Sequence, residues 1–405
     1  LFRAIQQGFR LLSNPFAALD PRPTILQVVP ALETGGAERT TVDMARAIVA
    51  AGGRAIVASR GGRMVEELIE AGASHAEMAV HSKNPVVMGL NVERLARLIE
   101  REGVDLVHAR SRAPGWSALA AARRAKVPFV TTYHSRVHER PRLKVFYNSV
   151  MVRGDAVIAN SHWTAGNIRA VHKPDEARIF TVPRGIDIAA FAAPAAERIG
   201  ALKARWGIGG EAGTVFLHPA RLTRWKGQLV SIEAARLLTD RGMGDFTVLL
   251  AGDAQGRDGY AEELKKAIAA AGLEARVKLT GHCSDMAAAY ALSDCVLSPS
   301  IEPEPFGRTA VEAQAASRPV IVSDAGGQQE TVIEGKTGFR VPPGDAAALA
   351  GAMASVMAMG GAARAQMGAA GHDNAATHYS VGAMCGATLS IYARLIAQNR
   401  AAGRP

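Results

Sequence analysis

Cysteine and aromatic residues are scarce in this chain. Three cysteines in 405 residues (Cys283, Cys295 and Cys385) are too few and too scattered for a disulfide framework or a thiolate zinc site. A reducing cytosol is therefore the expected setting. Aromatics make up 5% of the chain, and no nucleic-acid recognition motif is present, so nucleic acid is not an expected partner. No His/Asp/Glu cluster has metal-ligand spacing, and no bound metal is expected. No segment reads as a signal peptide. One long charge-free run, Ala346–Ala363, is mostly Ala, Gly and Met, too weakly apolar for a membrane span. It reads as an ordinary helix capped by Asp345.

What is present is the balance of a globular α/β protein: 48% apolar and 21% charged residues, in a length that suits two or three domains. The net charge of +10 is unevenly placed. Residues 1–195 carry 26 Lys and Arg against 17 Asp and Glu, whereas residues 196–405 carry 21 against 20. A basic first half points to an anionic partner there: an anionic lipid, a phosphorylated glycan or a membrane surface. At the start, Phe2, Ile5, Phe9, Leu12 and Phe16 recur at helical spacing near Arg3 and Arg10. Segment 1–22 reads either as a terminal helix packed on the body or as an interfacial helix at an anionic membrane.

Short apolar runs alternate with helical patterns throughout. Strands are expected at 25–30, 55–59, 106–109, 129–133, 156–160 and 179–182. After a looser Ala/Gly/Pro-rich stretch, 183–213, they resume at 215–219, 247–251, 277–280, 295–298 and 320–323. Such alternation predicts parallel sheets covered by helices. Two doubly wound Rossmann-like domains facing a cleft are expected, one over 23–190 and one over 191–380. Segment 381–405 is expected to form a helix that crosses back to the first domain.

The sharpest chemical signal is Ser-Pro-Ser-Ile-Glu-Pro-Glu-Pro-Phe-Gly-Arg-Thr-Ala-Val-Glu-Ala (298–313). It places Glu304 in the loop after a strand and Glu312 about one turn into the next helix. Carboxylates at that sheet edge suit hydroxyl-rich ligands, and a helix start offers N–H groups to phosphate. A sugar joined to a phosphate satisfies both. Arg221 and Lys226 follow the strand 215–219 and suit a diphosphate clamp, with Arg224 as a substitute. Gly35 and Gly36 sit between the first strand and its helix, where backbone can approach a ligand, although the three-glycine dinucleotide fingerprint is absent. His134 closes the strand 129–133 on the ligand side; His108 ranks below it, and His218 reads as core. Gly326-Gly327 with Glu330 repeats the strand–glycine–helix layout. Arg110, Arg112, Arg123, Arg124, Lys126, Arg136, Arg140, Arg142 and Lys144 form a basic cluster able to dock an anionic acceptor or a membrane.

Together these features resemble the family 4 retaining glycosyltransferases of the GT-B fold, from about Thr24 to about Gly344. The resemblance rests on Gly35-Gly36-Ala-Glu, Thr-Tyr-His134, Val-Pro-Arg-Gly-Ile-Asp (182–187), Arg221 to Lys226-Gly227, Ala251-Gly252-Asp253, the Glu304/Glu312 segment and Gly326-Gly327 with Glu330. It implies that Glu304 holds donor-sugar hydroxyls and Glu312 the ribose hydroxyls. It further implies that Arg221 and Lys226 bind the diphosphate, that Gly36 faces the phosphates and that His134 lies beside the transferred sugar. Phe306, Gly307 and Arg308 would present backbone N–H groups. Ala220 and Arg184 depart from the family's usual Gly and Asn.

The implied activity is transfer of a hexose, with retention, from a UDP- or GDP-linked sugar to an anionic glycan or lipid-linked acceptor, as in bacterial lipopolysaccharide or other envelope polysaccharide synthesis. No cofactor is expected beyond the nucleotide diphosphate sugar as co-substrate. The expected location is the cytoplasm, with peripheral contact at the inner face of the membrane. The rival readings are a GT-B nucleotide-sugar epimerase and a non-catalytic nucleotide-sugar-binding protein.

Overall fold

A computed structural model describes residues 14–33, 35–134, 141–210, 213–256 and 258–403. The chain forms two compact units, one of Leu1–Gly185 with Val381–Pro405 and one of Ile186–Ser380. Each is built on a single parallel sheet.

The first sheet comprises β1 (Thr24–Val28), β2 (Arg54–Ser59), β3 (Ser74–Glu77), β4 (Leu106–Ala109), β5 (Phe129–Tyr133), β6 (Ala156–Ala159) and β7 (Ile179–Thr181), in the order β3-β2-β1-β4-β5-β6-β7. The second comprises β8 (Thr214–Pro219), β9 (Phe246–Ala251), β10 (Val277–Gly281), β11 (Cys295–Ser298), β12 (Val320–Ser323) and β13 (Gly338–Val341), in the order β10-β9-β8-β11-β12-β13. Each sheet therefore grows outward one way and then returns to grow the other. The switch falls between β1 and β4 in one unit and between β8 and β11 in the other. Beyond the carboxyl ends of such strand pairs the connections diverge and leave a crevice, the usual ligand position in this architecture.

Both faces of each sheet are covered, which explains why the strands read as unbroken apolar runs. In the first unit Ile25, Val57, Leu106 and Val130 point into one core, and Leu26, Ile56, Val107 and Val157 into the other. The second unit repeats the pattern, with Phe216, Val248 and Leu297 on one side and Leu217, Leu249 and Val296 on the other. The helix Val381–Ala401 contributes Met384, Cys385, Leu389, Tyr392, Leu395 and Ile396 to the first unit's core.

Several details differ from the sequence reading. β3 and β13 were not expected; both are edge strands with partly exposed, mixed sequences. The stretch 183–213 holds a helix, Ala196–Trp206, anchored by buried Leu202 and Trp206. Residues 186–190 fall in the second unit rather than the first. Ile186 donates its N–H to the Tyr379 carbonyl at 2.8 Å and packs beside Phe306 and Val311. The charge-free run breaks after Ala358 into two helices, Ala346–Ala358 and Gly361–His378. Asp345 caps the first, accepting from the Ala348 N–H at 2.8 Å. Among the described residues no single helix is long and apolar enough to cross a membrane. Of the opening apolar positions, Phe16 is buried in the first unit's core, and Phe2, Ile5, Phe9 and Leu12 lie outside the described residues.

Candidate active site

In the second unit the loops after β8 and β11 meet at the switch point. The loop after β8 is fixed against β9: Ala220 and Leu222 donate to the carbonyls of Ala251 and Asp253 at 3.0 and 3.1 Å. Gly252 allows this approach, since a Cβ there would lie 1.8 Å from the Ala220 oxygen. The loop then makes a single 3-10 turn, Arg224–Lys226, and ends at Gly227 with φ +81° against the Pro299 carbonyl. That placement delivers Lys226 to the β11 loop. Its Nζ donates to Glu304 Oε1 at 2.7 Å and lies 4.3 Å from the centre of the Trp225 ring. Ser300 Oγ donates to the same Glu304 oxygen at 2.5 Å.

The pair is largely shielded, with side-chain exposures of 14% for Lys226 and 10% for Glu304. Two opposite charges in such a place need each other or a ligand that replaces both contacts. Glu304 is held from behind by the β12 loop. Gly327 donates to the Glu304 carbonyl at 2.6 Å, and Gly326 adopts φ +73° with its Cα against that same peptide.

Gly307, at φ +95°, begins the helix Arg308–Ala315. The N–H groups at this helix start have no carbonyl within the helix to pair with. Glu312 lies on the helix and is gripped from two sides: Tyr290 Oη donates to Oε2 at 2.8 Å, and Arg308 Nε donates to Oε1. Burial and the Glu312 charge push the Tyr290 hydroxyl well above its usual pKa, so it stays a donor. Phe306 turns its ring inward, 5.9 Å from the Tyr379 ring.

The structure thus joins Glu304 to Lys226 directly. Glu312 keeps a separate set of partners, and the Arg221 side chain is exposed and pairs with no described residue. Arg224 is not a substitute for Lys226: its guanidinium is committed to Glu263 and stacks over Tyr260. His218, at the end of β8, is core as expected, donating to or accepting from Ser231 Oγ at 3.0 Å; burial and the nearby Lys226 charge lower its pKa to about 3.

In the first unit, the expected residues also gather at the switch point. A cavity of about 290 Å³ is lined by Glu38, Arg110, Arg112, Tyr133, His134 and Met151, among others. Gly35 precedes the helix Gly36–Ala50, and the Glu38 carboxylate caps the Gly35 N–H. Both ring nitrogens of His134 are buried without a hydrogen-bond partner among the described residues. Burial, then the charges of Arg184, Arg110 and Arg112, hold its pKa down at about 3. A neutral imidazole aimed at a cavity with unmet hydrogen-bonding capacity is equipped for a hydroxylated ligand. Arg184 was noted in the sequence only as a departure. Its guanidinium lies over Gly36, where a Cβ would sit 1.8 Å from Nη2.

His108 has no free ring nitrogen: Nδ1 meets Tyr392 Oη, and Nε2 meets Thr132 Oγ1 at 2.7 Å. The basic cluster is not one patch. Arg110 is 4% exposed and gives its Nε and Nη2 to Gln27 Oε1. Arg123, Arg124 and Lys126 lie at the far end of the helix that Arg112 begins, about 20 Å away at 1.5 Å per residue. Arg142 and Lys144 are exposed on the helix Arg142–Asn148. Arg136 and Arg140 lie outside the described residues.

This arrangement agrees with what the chain is similar to. Residues 34–190 match the family model described as Glycosyltransferase Family 4, and residues 207–373 match that described as Glycosyl transferases group 1. A D-inositol 3-phosphate glycosyltransferase of Mycolicibacterium vanbaalenii is 31% identical over 322 residues, 73% of this chain and 68% of the relative. One from Jonesia denitrificans is 29% identical over 262 residues, 59% of this chain and 60% of its own length. A glycosyltransferase from Rickettsia africae has a crystal structure that superposes with a TM-score of 0.84 at 34% identity, over 93% of this chain and 99% of that one. The chain belongs to the family 4 glycosyltransferases of the GT-B fold class.

Proposed function

We propose that this protein transfers a hexose from a nucleotide diphosphate sugar to a glycan or lipid-linked acceptor, with retention at the anomeric carbon. The carrying observation is the shielded Lys226–Glu304 pair at the β8/β11 switch point, beside the open helix start at Arg308. A donor substrate offers each charge a replacement partner: sugar hydroxyls for Glu304, and diphosphate oxygens for Lys226 and the exposed Arg221. Glu312 accepts from the ribose hydroxyls.

As the bond from the anomeric carbon to the diphosphate breaks, positive charge develops on the sugar and negative charge on the phosphate. Lys226 and Arg221 offset the latter. The acceptor hydroxyl attacks from the side the diphosphate leaves, and its proton passes to a phosphate oxygen. Neutral His134 donates to or accepts from a sugar hydroxyl. The surplus of basic residues in the first half favours an acceptor that carries negative charge, such as an envelope glycan precursor.

The test has two steps. A thermal-shift screen of UDP-, GDP- and ADP-linked hexoses identifies the donor as the compound that raises the melting temperature. Nucleotide diphosphate release is then followed with and without an extract of lipid-linked or phosphorylated glycans. Acceptor-dependent release, with the α or β configuration of the donor preserved in the product, is the expected result. Tight donor binding with no transfer to any acceptor, or an epimerised sugar formed without acceptor, overturns the reading.

A further inference from the structure

Large apolar side chains are exposed at a few positions among the described residues, and four of them occur in one neighbourhood of the first unit. Val86 and Leu90 are 72% and 52% exposed near the start of the helix Pro85–Glu102. Leu143 and Phe146 are 84% and 60% exposed on the helix Arg142–Asn148. Each pair has helical spacing, i,i+4 and i,i+3, so each forms one stripe.

Two consecutive residues tie the helices together. Ser117 Oγ donates to the Met88 carbonyl at 3.0 Å, and Trp116 Nε1 donates to the Tyr147 carbonyl at 3.1 Å. The Trp116 ring lies 5.6 Å from that of Phe146, and the Arg153 guanidinium lies 5.2 and 5.5 Å from the centres of the two rings.

Within the two stretches that carry these stripes the charges are of one sign. Lys83, Arg142 and Lys144 are exposed and make no ion pair among the described residues. Neither 81–92 nor 141–153 contains an acidic residue. The next carboxylate along the first helix, Glu93, is taken by Arg97 and Arg124. Solvent-facing Leu and Phe flanked by cations that form no ion pair among the described residues match the interface of an anionic bilayer. Apolar chains enter the acyl boundary there and cations meet the headgroups. A protein partner of ordinary mixed charge would leave these cations unmatched.

The position has a use. Pro85 opens its helix after β3, and Arg142 follows β5, so both stripes rim the carboxyl edge of the sheet. That edge carries His134, and Met151, just after the second stripe, lines the His134 cavity.

We propose that Val86, Leu90, Leu143 and Phe146, flanked by Lys83, Arg142 and Lys144, form a docking surface for an anionic phospholipid bilayer. For its use the surface rests on the lipid-linked acceptor reading; vesicle binding measured without donor tests it apart from that reading.

The experiment is co-sedimentation of the full chain with phosphatidylglycerol/phosphatidylcholine vesicles and with pure phosphatidylcholine vesicles. Binding to the anionic vesicles is expected to be at least about tenfold stronger, and to weaken as salt is raised. The double variant L143E/F146E is expected to lose about tenfold or more of that binding while keeping the wild-type melting temperature and its shift with the donor. The charge reversal R142E/K144E is a second, independent arm with the same expected loss. No binding by the wild type, equal binding to both vesicles, or wild-type binding by both variants overturns the proposal. So does a dimer, seen by sedimentation velocity, that L143E/F146E converts to monomer without altering vesicle binding.

Discussion

At the scale of single residues, the second unit's site turns on Lys226. It is the cation the fold presents to Glu304; its ammonium lies over the Trp225 ring, and Ser300 donates to the same Glu304 oxygen. Replacing it with alanine is expected to lower kcat on the order of 100-fold or more, the usual effect of losing one transition-state donor. Donor binding in the same variant, followed calorimetrically, shows how far the loss lies in turnover rather than affinity. The buried histidines set a pH dependence of stability. His134 and His218 are held near pKa 3 in the folded chain, whereas a free imidazole titrates near about 6.5. Between those values the unfolded chain takes up protons that the folded chain does not, so stability is intact above about pH 6.5 and falls as pH drops toward 3. Urea titrations from pH 7 to 4 should show this decline, and H218Q should make it shallower by one proton.

At the scale of elements, glycines decide where the loops can go. Gly326 combines φ +73° with ψ −161°, a conformation essentially closed to other residues, and its Cβ would lie 2.4 Å from the Glu304 oxygen. G326A is therefore expected to destabilise the second unit by about 2–3 kcal/mol in urea unfolding. It should also weaken donor binding, because Glu304 must move.

The elements were legible to different degrees. β4, β5, β11 and β12 coincide with their apolar runs because both faces are buried and no alternation dilutes the signal. β3 (Ser-His-Ala-Glu) and β13 (Gly-Phe-Arg-Val) have no such run, being edge strands whose pairing is supplied by a neighbour distant in sequence. The site shows the same limit. Glu304, Lys226, His134 and Gly36 were legible because each sits beside its own strand. The contacts between segments were not: Tyr290 on Glu312, Glu263 on Arg224 and Arg184 over Gly36 come from remote parts of the chain. The basic cluster misled for a related reason, since proximity in sequence concealed the length of a helix between its ends.

At the scale of the molecule, the helix Val381–Ala401 is part of the first unit's core although the whole second unit precedes it in sequence. Its Tyr392 bonds His108, which bonds Thr132, and its Met384 and Thr388 line the same small cavity as His134 and Arg184. Truncation after Ser380 is expected to strip amide-exchange protection from residues 14–185 and leave it in 186–380. Hydrogen exchange read by mass spectrometry distinguishes this selective loss from global unfolding.

The interrupted first unit has a consequence for biogenesis. A ribosome releases residues 14–185 well before the segment that completes their packing, and the intervening 195 residues form a continuous unit that can finish on its own. The half translated second should mature earlier, while the half translated first remains exposed to chaperones until the closing helix emerges.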